Sequence, residues 1–211
     1  MTAGAGSAAG GREPRRAVLR VCLDVNVWIA YLLALQQGRV GTVPMRLVAM
    51  VQAGAAGTIP LQLMVSQEML GTLEHVLKRL GLPDHLAEGF PQAIDGLMRV
   101  GPETLDPALL TAGRDQLAMR DREDAGVLAF CMVDRVDLLV TDNLADFLTK
   151  DSERRETQLV TRTNGITRQL FVLLHERVDG VSLAVAHPID AVAWLAADFW
   201  PDLASLRQRY P

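Results

Sequence analysis

The chain has 211 residues, 49% of them hydrophobic and 22% charged, with a net charge of −4. This composition excludes wholesale disorder, and a chain of this length buries roughly two thirds of its unfolded surface, so no disulfide or metal is needed to hold it. Two cysteines, Cys22 and Cys131, without partners at metal-ligand spacing, exclude a disulfide scaffold and a zinc ribbon and fit a reducing compartment. No apolar run reaches the length of a membrane-spanning helix. Residues 1–16 are rich in Gly and Ala and end in Arg15-Arg16, without the apolar core of a secretory signal. They read as a flexible tail, residues 17–211 as one domain, and the expected location is cytoplasmic. Lys78 and Lys150 are the only lysines, so arginines carry most of the positive charge. Their planar forks suit phosphate.

In chain order, Ala17–Leu23 reads as a buried strand. Asp24 follows at once, and Asn26 is expected to cap a helix through Leu35, closed by Gly38 and Gly41. Met45–Ala53 carries a second helical pattern. Thr58–Val65 reads as a strand, after which Ser66 caps a helix to about Leu80, stopped by Gly81-Leu82-Pro83. Asp84–Val100 and Asp106–Met119 read as helices. Asp121, with Asp124 three positions on, opens another helix to about Val133, in a relative of the capping box. Asp137–Thr141 reads as a strand and Leu144–Leu148 as a short helix. Residues 151–165 are polar and read as loop, part of a family-specific insertion over 151–180. Phe171–His175 and Val181–Ala186 flank the turn signal Asp179-Gly180, although the first flank also fits the end of a helix. His187-Pro188 opens a last helix, Ile189 to about Ala197. Short apolar strands alternating with helices predict an α/β fold with a parallel sheet covered on both faces.

Such sheets place their sites at the carboxyl ends of the strands, where acidic residues recur in this chain. Asp24 ends the first strand. Glu68 and Asp124 lie in first turns of helices, and Asp142, Asn143 and Asp146 follow the strand ending at Thr141. Each has a plain structural role available, as cap or dipole partner or as turn residue. Asp24 is the exception, because a charge between an apolar strand and an apolar helix is costly unless paired. Carboxylates gathered in one cleft repel and lose solvation. Divalent cations relieve both, and an oxygen-only donor set suits Mg²⁺ or Mn²⁺ rather than zinc. Two such ions roughly 4 Å apart can clamp the attacking and leaving oxygens of a phosphodiester.

Four segments carry a resemblance. They are Val21–Val27 (VCLDVNV), Val65–Leu70 (VSQEML) with Val76-Leu77, Asp121–Asp124 (DRED), and Leu139–Asn143 (LVTDN) with Asp146-Phe147. Together they resemble the PIN-domain family of metal-dependent ribonucleases, from about Val18 to Leu195. The resemblance implies a three-layer α/β/α fold with a central, mostly parallel sheet, a Mg²⁺ or Mn²⁺ cofactor, and hydrolysis of RNA phosphodiester bonds. Asp24 and Asp124 match the family's metal-binding aspartates, Asn26 its polar residue two positions on, and Ser66 its helix-opening serine or threonine. Where members carry a glutamate six positions after that serine, this chain has Thr72. Glu68, one helical turn earlier on the same face, is read as the replacement, and Glu74 as pointing elsewhere. Members often have an aspartate two after the threonine. Here Asn143 stands there, between Asp142 and Asp146.

The site implied therefore has Asp24, Glu68, Asp124 and Asp142 as catalytic groups, the same four with Asp146 on the metal, and Asn26, Ser66, Thr72, Thr141 and Asn143 around them. Arg46, Arg79, Arg120 and Arg122 are candidates for RNA phosphates. Some small family members are toxins paired with an antitoxin, and members often form homodimers, so both partners are expectations here. Two other readings compete. A catalytically degenerate PIN-like module binding RNA or a protein is motivated by Thr72. A receiver-like phosphoacceptor is opposed by the lack of acids in residues 17–23 and of lysine in residues 151–211. The histidines His75, His85, His175 and His187 form no paired metal motif and are read as structural. Trp28 and Trp194 are read as core.

Overall fold

In the computed structural model, which describes residues 17–107, 122–161, 165–177 and 180–211, with only the backbone at 122 and 123, the first apolar run forms strand β1 (Leu19–Leu23). Helix α1 (Val25–Gln36) starts one residue later. Asp24, not Asn26, is its N-cap: the Asp24 carboxylate accepts from the Val25 backbone N–H. Asn26 is already helical, and its amide is used elsewhere. Helix α2 (Val43–Gln52) follows, with a proline in its first turn. A two-residue strand β2 (Ala55–Ala56) then turns back on β3 (Ile59–Leu63).

Ser66 caps α3 (Gln67–Arg79) through the Met69 backbone N–H, and α4 (Asp84–Arg99) packs against it. The helix expected over Asp106–Met119 and the Asp121 cap lie outside the described residues. Helix α5 (Arg122–Val133) leads into β4 (Leu138–Val140) and a 3-10 turn at Leu144–Phe147. Among the described residues, two long strands follow, β5 (Glu153–Thr161) and β6 (Thr167–Glu176), then β7 (Ser182–Ala186), α6 (Pro188–Ala196) and α7 (Leu203–Arg209).

The seven strands form one sheet in the order β2-β3-β1-β4-β7-β6-β5. β3, β1, β4 and β7 run parallel, while β2 and β6 run antiparallel to their neighbours. Successive strand residues point to opposite faces. In β4 all three residues are fully buried, so helices cover the sheet on both sides. This is the expected α/β architecture with a mostly parallel centre. Cys22 and Cys131 are both free and buried. Burial pushes the Cys131 thiol well up, with Cys22 beside it adding to the shift, which leaves it a core residue rather than a reactive one.

One expectation needs correction. Residues 153–161 are not loop but the edge strand β5. Its inward positions are polar, which hides the alternation that marks a strand. Glu153 there bonds Arg207, and Thr157 and Gln158 bond the buried Asp190. Phe171–His175 and Val181–Ala186 lie on the antiparallel pair β6 and β7, as the turn signal between them implied. The chain also has a helix after α6: α7 is capped by Asp202, which accepts from the backbone N–H and the hydroxyl of Ser205, and it buries Leu203 and Leu206. With only two buried side chains it carries too little periodicity to read.

Candidate active site

Parallel strands β3, β1, β4 and β7 all present their carboxyl ends on one edge of the sheet, and the chain leaves β1, β4 and β7 through Asp24, Thr141-Asp142 and His187. The ladder continues past the strands: Asp24 N–H donates to Val140 O and Thr141 N–H to Ala186 O, both at 3.0 Å. These bonds bring the three exits side by side.

Asp24 is the centre of what they build. It is 7% exposed, and its carboxylate is fixed from three directions. Oδ1 accepts from Val25 N–H at 2.7 Å. Oδ2 accepts from the Asn26 amide at 2.6 Å and the Thr141 hydroxyl at 2.8 Å. The Thr141 oxygen accepts in turn from the Asn26 amide at 2.9 Å and from Asn143 N–H at 3.1 Å. Asn26 Oδ1 takes the Asp142 N–H at 3.2 Å, and the Asn143 amide bonds Asp146. Trp28 locks the backbone just before the site by donating from Nε1 to Leu23 O at 3.0 Å. Burial holds the Asp24 carboxyl above its ordinary range, and the nearby Asp146 charge adds to this, while the bonds from Thr141, Val25 and Asn26 oppose it.

Asp24 lies in a cleft of about 470 Å³. Its walls include Asp24 and Asn26 from the start of α1, Ser66, Glu68, Thr72 and Arg79 from α3, Asp124 from α5, and Asn143 and Asp146 beyond β4. Glu68, Thr72, Val76 and Arg79 are spaced four, four and three residues apart, which is one stripe of a helix. Glu68 and Thr72 thus share the cleft face. Glu74 does not line it and bonds Lys78 at 2.7 Å instead. Of the proposed phosphate contacts, Arg79 lines the cleft and Arg46 is exposed outside it. Arg120 and the Arg122 side chain lie outside the described residues. Ser66 is buried and spends its hydroxyl on the α3 cap. Thr141 is buried behind Asp24, where it orients the carboxylate.

Asp142 is the one acid of the expected set that the structure turns away. It does not line the cleft, and its Oδ1 is 2.7 Å from His187 Nε2. His187 carries no signal of a paired metal motif, because no second histidine stands at ligand spacing. The signal available was position, since His187 follows a buried strand directly, as Asp24 does.

The donor set suits a hard divalent cation in kind: carboxylates, two carboxamides and hydroxyls, with no thiolate or imidazole on the cleft wall among the described residues. Asp24 Oδ1 has accepted one hydrogen bond and keeps a second lone pair. A cation there also relieves the desolvation and the Asp146 repulsion that raise the Asp24 pKa. Among the described residues, no three His, Cys, Asp or Glu side chains converge into a ready-made metal site. Mg²⁺ does not require one, because it keeps several waters and binds through one or two carboxylates. Among the described residues, no helix is long and apolar enough to cross a membrane.

A family model described as PIN domain matches residues 20–145. That span contains every residue named on the cleft wall except Asp146, which lies one position beyond its end. No curated protein and no solved structure matches the chain.

Proposed function

The chain belongs to the PIN-domain family, a nuclease-type fold, and on that premise we propose that it is a metal-dependent endoribonuclease hydrolysing RNA phosphodiester bonds. The observation that carries the proposal is Asp24: a buried carboxylate held by three hydrogen-bond donors and facing a cleft walled by Glu68, Asp124 and Asp146. A buried carboxylate shifted by desolvation and set in a cleft is a functional-site candidate on physical grounds.

In this reading Asp24 and Asp124 hold Mg²⁺ or Mn²⁺, with Glu68 and Asp146 as the further carboxylates within the cleft. The ion, when bound, lowers the pKa of a water and neutralises charge developing on the phosphate. The chain's own groups do the rest. Asn26 and Thr141 keep Asp24 in one orientation and spend one of its oxygens, so the other faces the cleft. Asn143 steadies Asp146. Arg79, on the α3 stripe, supplies the positive charge that an entering phosphate needs in an otherwise acidic cleft. Glu68 supplies the carboxylate that Thr72, one turn further, lacks.

The test is cleavage of a mixed RNA pool with Mg²⁺ or Mn²⁺ by the purified chain, Asp24→Asn and Asp124→Asn. Cleavage abolished by EDTA and by both substitutions is expected. Cleavage that survives both substitutions overturns the site. A second reading, a catalytically degenerate module that binds RNA, is favoured by Thr72 in the usual glutamate place. It predicts RNA binding without cleavage and no effect of Mn²⁺ on melting temperature.

A further inference from the structure

His187 stands where β7 ends, beside the carboxyl ends of β1 and β4, yet it does not line the cleft. Two bonds define its state. Its Nδ1 accepts from Ile189 N–H at 3.2 Å, capping α6. A ring nitrogen that accepts carries no proton, so Nε2 carries it and donates to Asp142 Oδ1 at 2.7 Å. With both nitrogens committed and only 8% of its surface exposed, His187 has no atom free for acid or base work. It is built to hold something.

What it holds is the turn after β4. Asp142 is gripped at two points, by its carboxylate to His187 and by its N–H to Asn26 Oδ1. The next residue is fixed by Asn143 N–H to the Thr141 hydroxyl, and Asp146 N–H closes the turn on Asn143 O at 3.3 Å. The turn carries two acids, and the grip decides between them. Asp142 is drawn toward α6, and Asn143 and Asp146 come to the cleft. The His187 anchor is itself rigid. Thr141 N–H to Ala186 O joins the two strand ends at 3.0 Å. In the first turn of α6, the buried Asp190 is held by Thr157 at 2.7 Å and Gln158 at 2.6 Å from β5. Hydrogen bonds at both ends, joined by the α6 backbone from Asp190 to His187, thus link β5 to Asp142, Asn26 and Asp24.

We propose that His187 is a positioning residue of the cleft: by binding Asp142 outside it, His187 sets the turn that presents Asn143 and Asp146 to the substrate. The proposal rests on the nuclease reading for its kinetic consequence but not for its structural one. Two variants separate holding the turn from capping the helix. His187→Asn keeps an acceptor for Ile189 N–H and is a good N-cap, but it is too short to reach Asp142. His187→Gln places an amide N–H near the Nε2 position and gives up the cap. His187→Asn is therefore expected to melt near wild type, with kcat down by about 10-fold, the low end of the cost of losing a partner of a metal ligand because His187 acts one residue further out, and with KM for RNA little changed. His187→Gln is expected to melt earlier and to keep most of kcat.

Hydrogen exchange at the Asp142, Asn143 and Asp146 amides gives a second readout. It is expected to quicken in His187→Asn and not elsewhere in the sheet. Wild-type kcat and wild-type exchange in His187→Asn overturn the proposal. So does a loss of kcat that merely follows the loss of melting temperature across both variants. If the wild-type chain cleaves no RNA with either metal, the nuclease reading fails by itself. Exchange then decides alone: quickened turn amides in His187→Asn support the anchor, and unchanged amides overturn it.

Discussion

His175 offers the sharpest measure of what the packing costs. It sits on β6, only 4% exposed, with its Nε2 buried and without a hydrogen-bond partner among the described residues. Its other nitrogen bonds the Phe147 backbone at the end of the 3-10 turn. Burial pulls the imidazole down from 6.5 to about 4, and the Phe147 bond opposes this only in part. The folded state therefore resists protonation that the unfolded chain accepts, so the unfolded state binds more protons between these two values. Stability falls as pH drops below about 6.5 and stops falling on this account below about 4. The fall from 6.5 to about 4 corresponds to roughly 3.4 kcal/mol in full and to about 2 kcal/mol already at pH 5. The carboxylates of Asp24, Asp134 and Asp190, raised by burial, bend the profile the other way. They do so equally in wild type and variant. Urea unfolding of wild type and His175→Leu at pH 7 and pH 5 isolates the histidine. At pH 7 the variant loses the Phe147 bond but also the orphaned Nε2, so its stability is expected to lie close to wild type. At pH 5 it is expected to be the more stable chain by about 2 kcal/mol. Parallel profiles for the two proteins, with no crossing of stability between pH 7 and pH 5, refute the reasoning.

Two further outcomes follow from the cleft. Arg79→Ala is expected to raise KM for RNA with little change in kcat and to lower the slope of log affinity against log salt by about 0.7, the share of one phosphate contact on a single strand. An unchanged slope removes Arg79 from the binding surface. Thr141→Val keeps the shape of a fully buried side chain but deletes the donor to Asp24 and the acceptor for Asn26 and Asn143. It is expected to cost about 1–3 kcal/mol of stability, from polar groups left unpaired, and to lower kcat by about 10–100-fold. Urea melts and single-turnover cleavage read the two effects separately.

The sequence was most legible where burial and position coincide. β1 and β4 are runs of apolar residues because both sheet faces are covered, and an acid placed directly after such a run has few structural explanations. That made Asp24 readable. The α3 stripe was readable for a different reason: helical spacing puts Glu68, Thr72 and Arg79 on one line whatever the rest of the fold does. Two features resisted. β5 faces inward with Glu153, Arg155 and Thr157, so its period of two is carried by polar groups, and the partners that bury Glu153 and Thr157, Arg207 and Asp190, lie more than thirty residues away. Asp142 and Asp146 are both acids after the same strand, and no local pattern says which turns inward. That choice is made by His187, forty-five residues on.

The arrangement also explains why one strongly buried carboxylate is tolerable at this place. The four parallel strands each end on the same edge, so backbone N–H groups and turn side chains accumulate there by topology. Asp24 collects three of them, from Val25, Asn26 and Thr141. Each donor is itself placed by an element that the core requires: Val25 by the start of α1, and Thr141 by the ladder bond to Ala186. These bonds favour the charged form and work against burial, yet the carboxyl still stands above its ordinary range, with Asp146 adding repulsion. The residual imbalance is what a cation would remove, and it lies in a cleft whose described walls carry four carboxylates and one arginine. One of the three donors, Val25 N–H, is satisfied as the α1 cap, but the Asn26 and Thr141 bonds serve only to hold the carboxylate at the cleft.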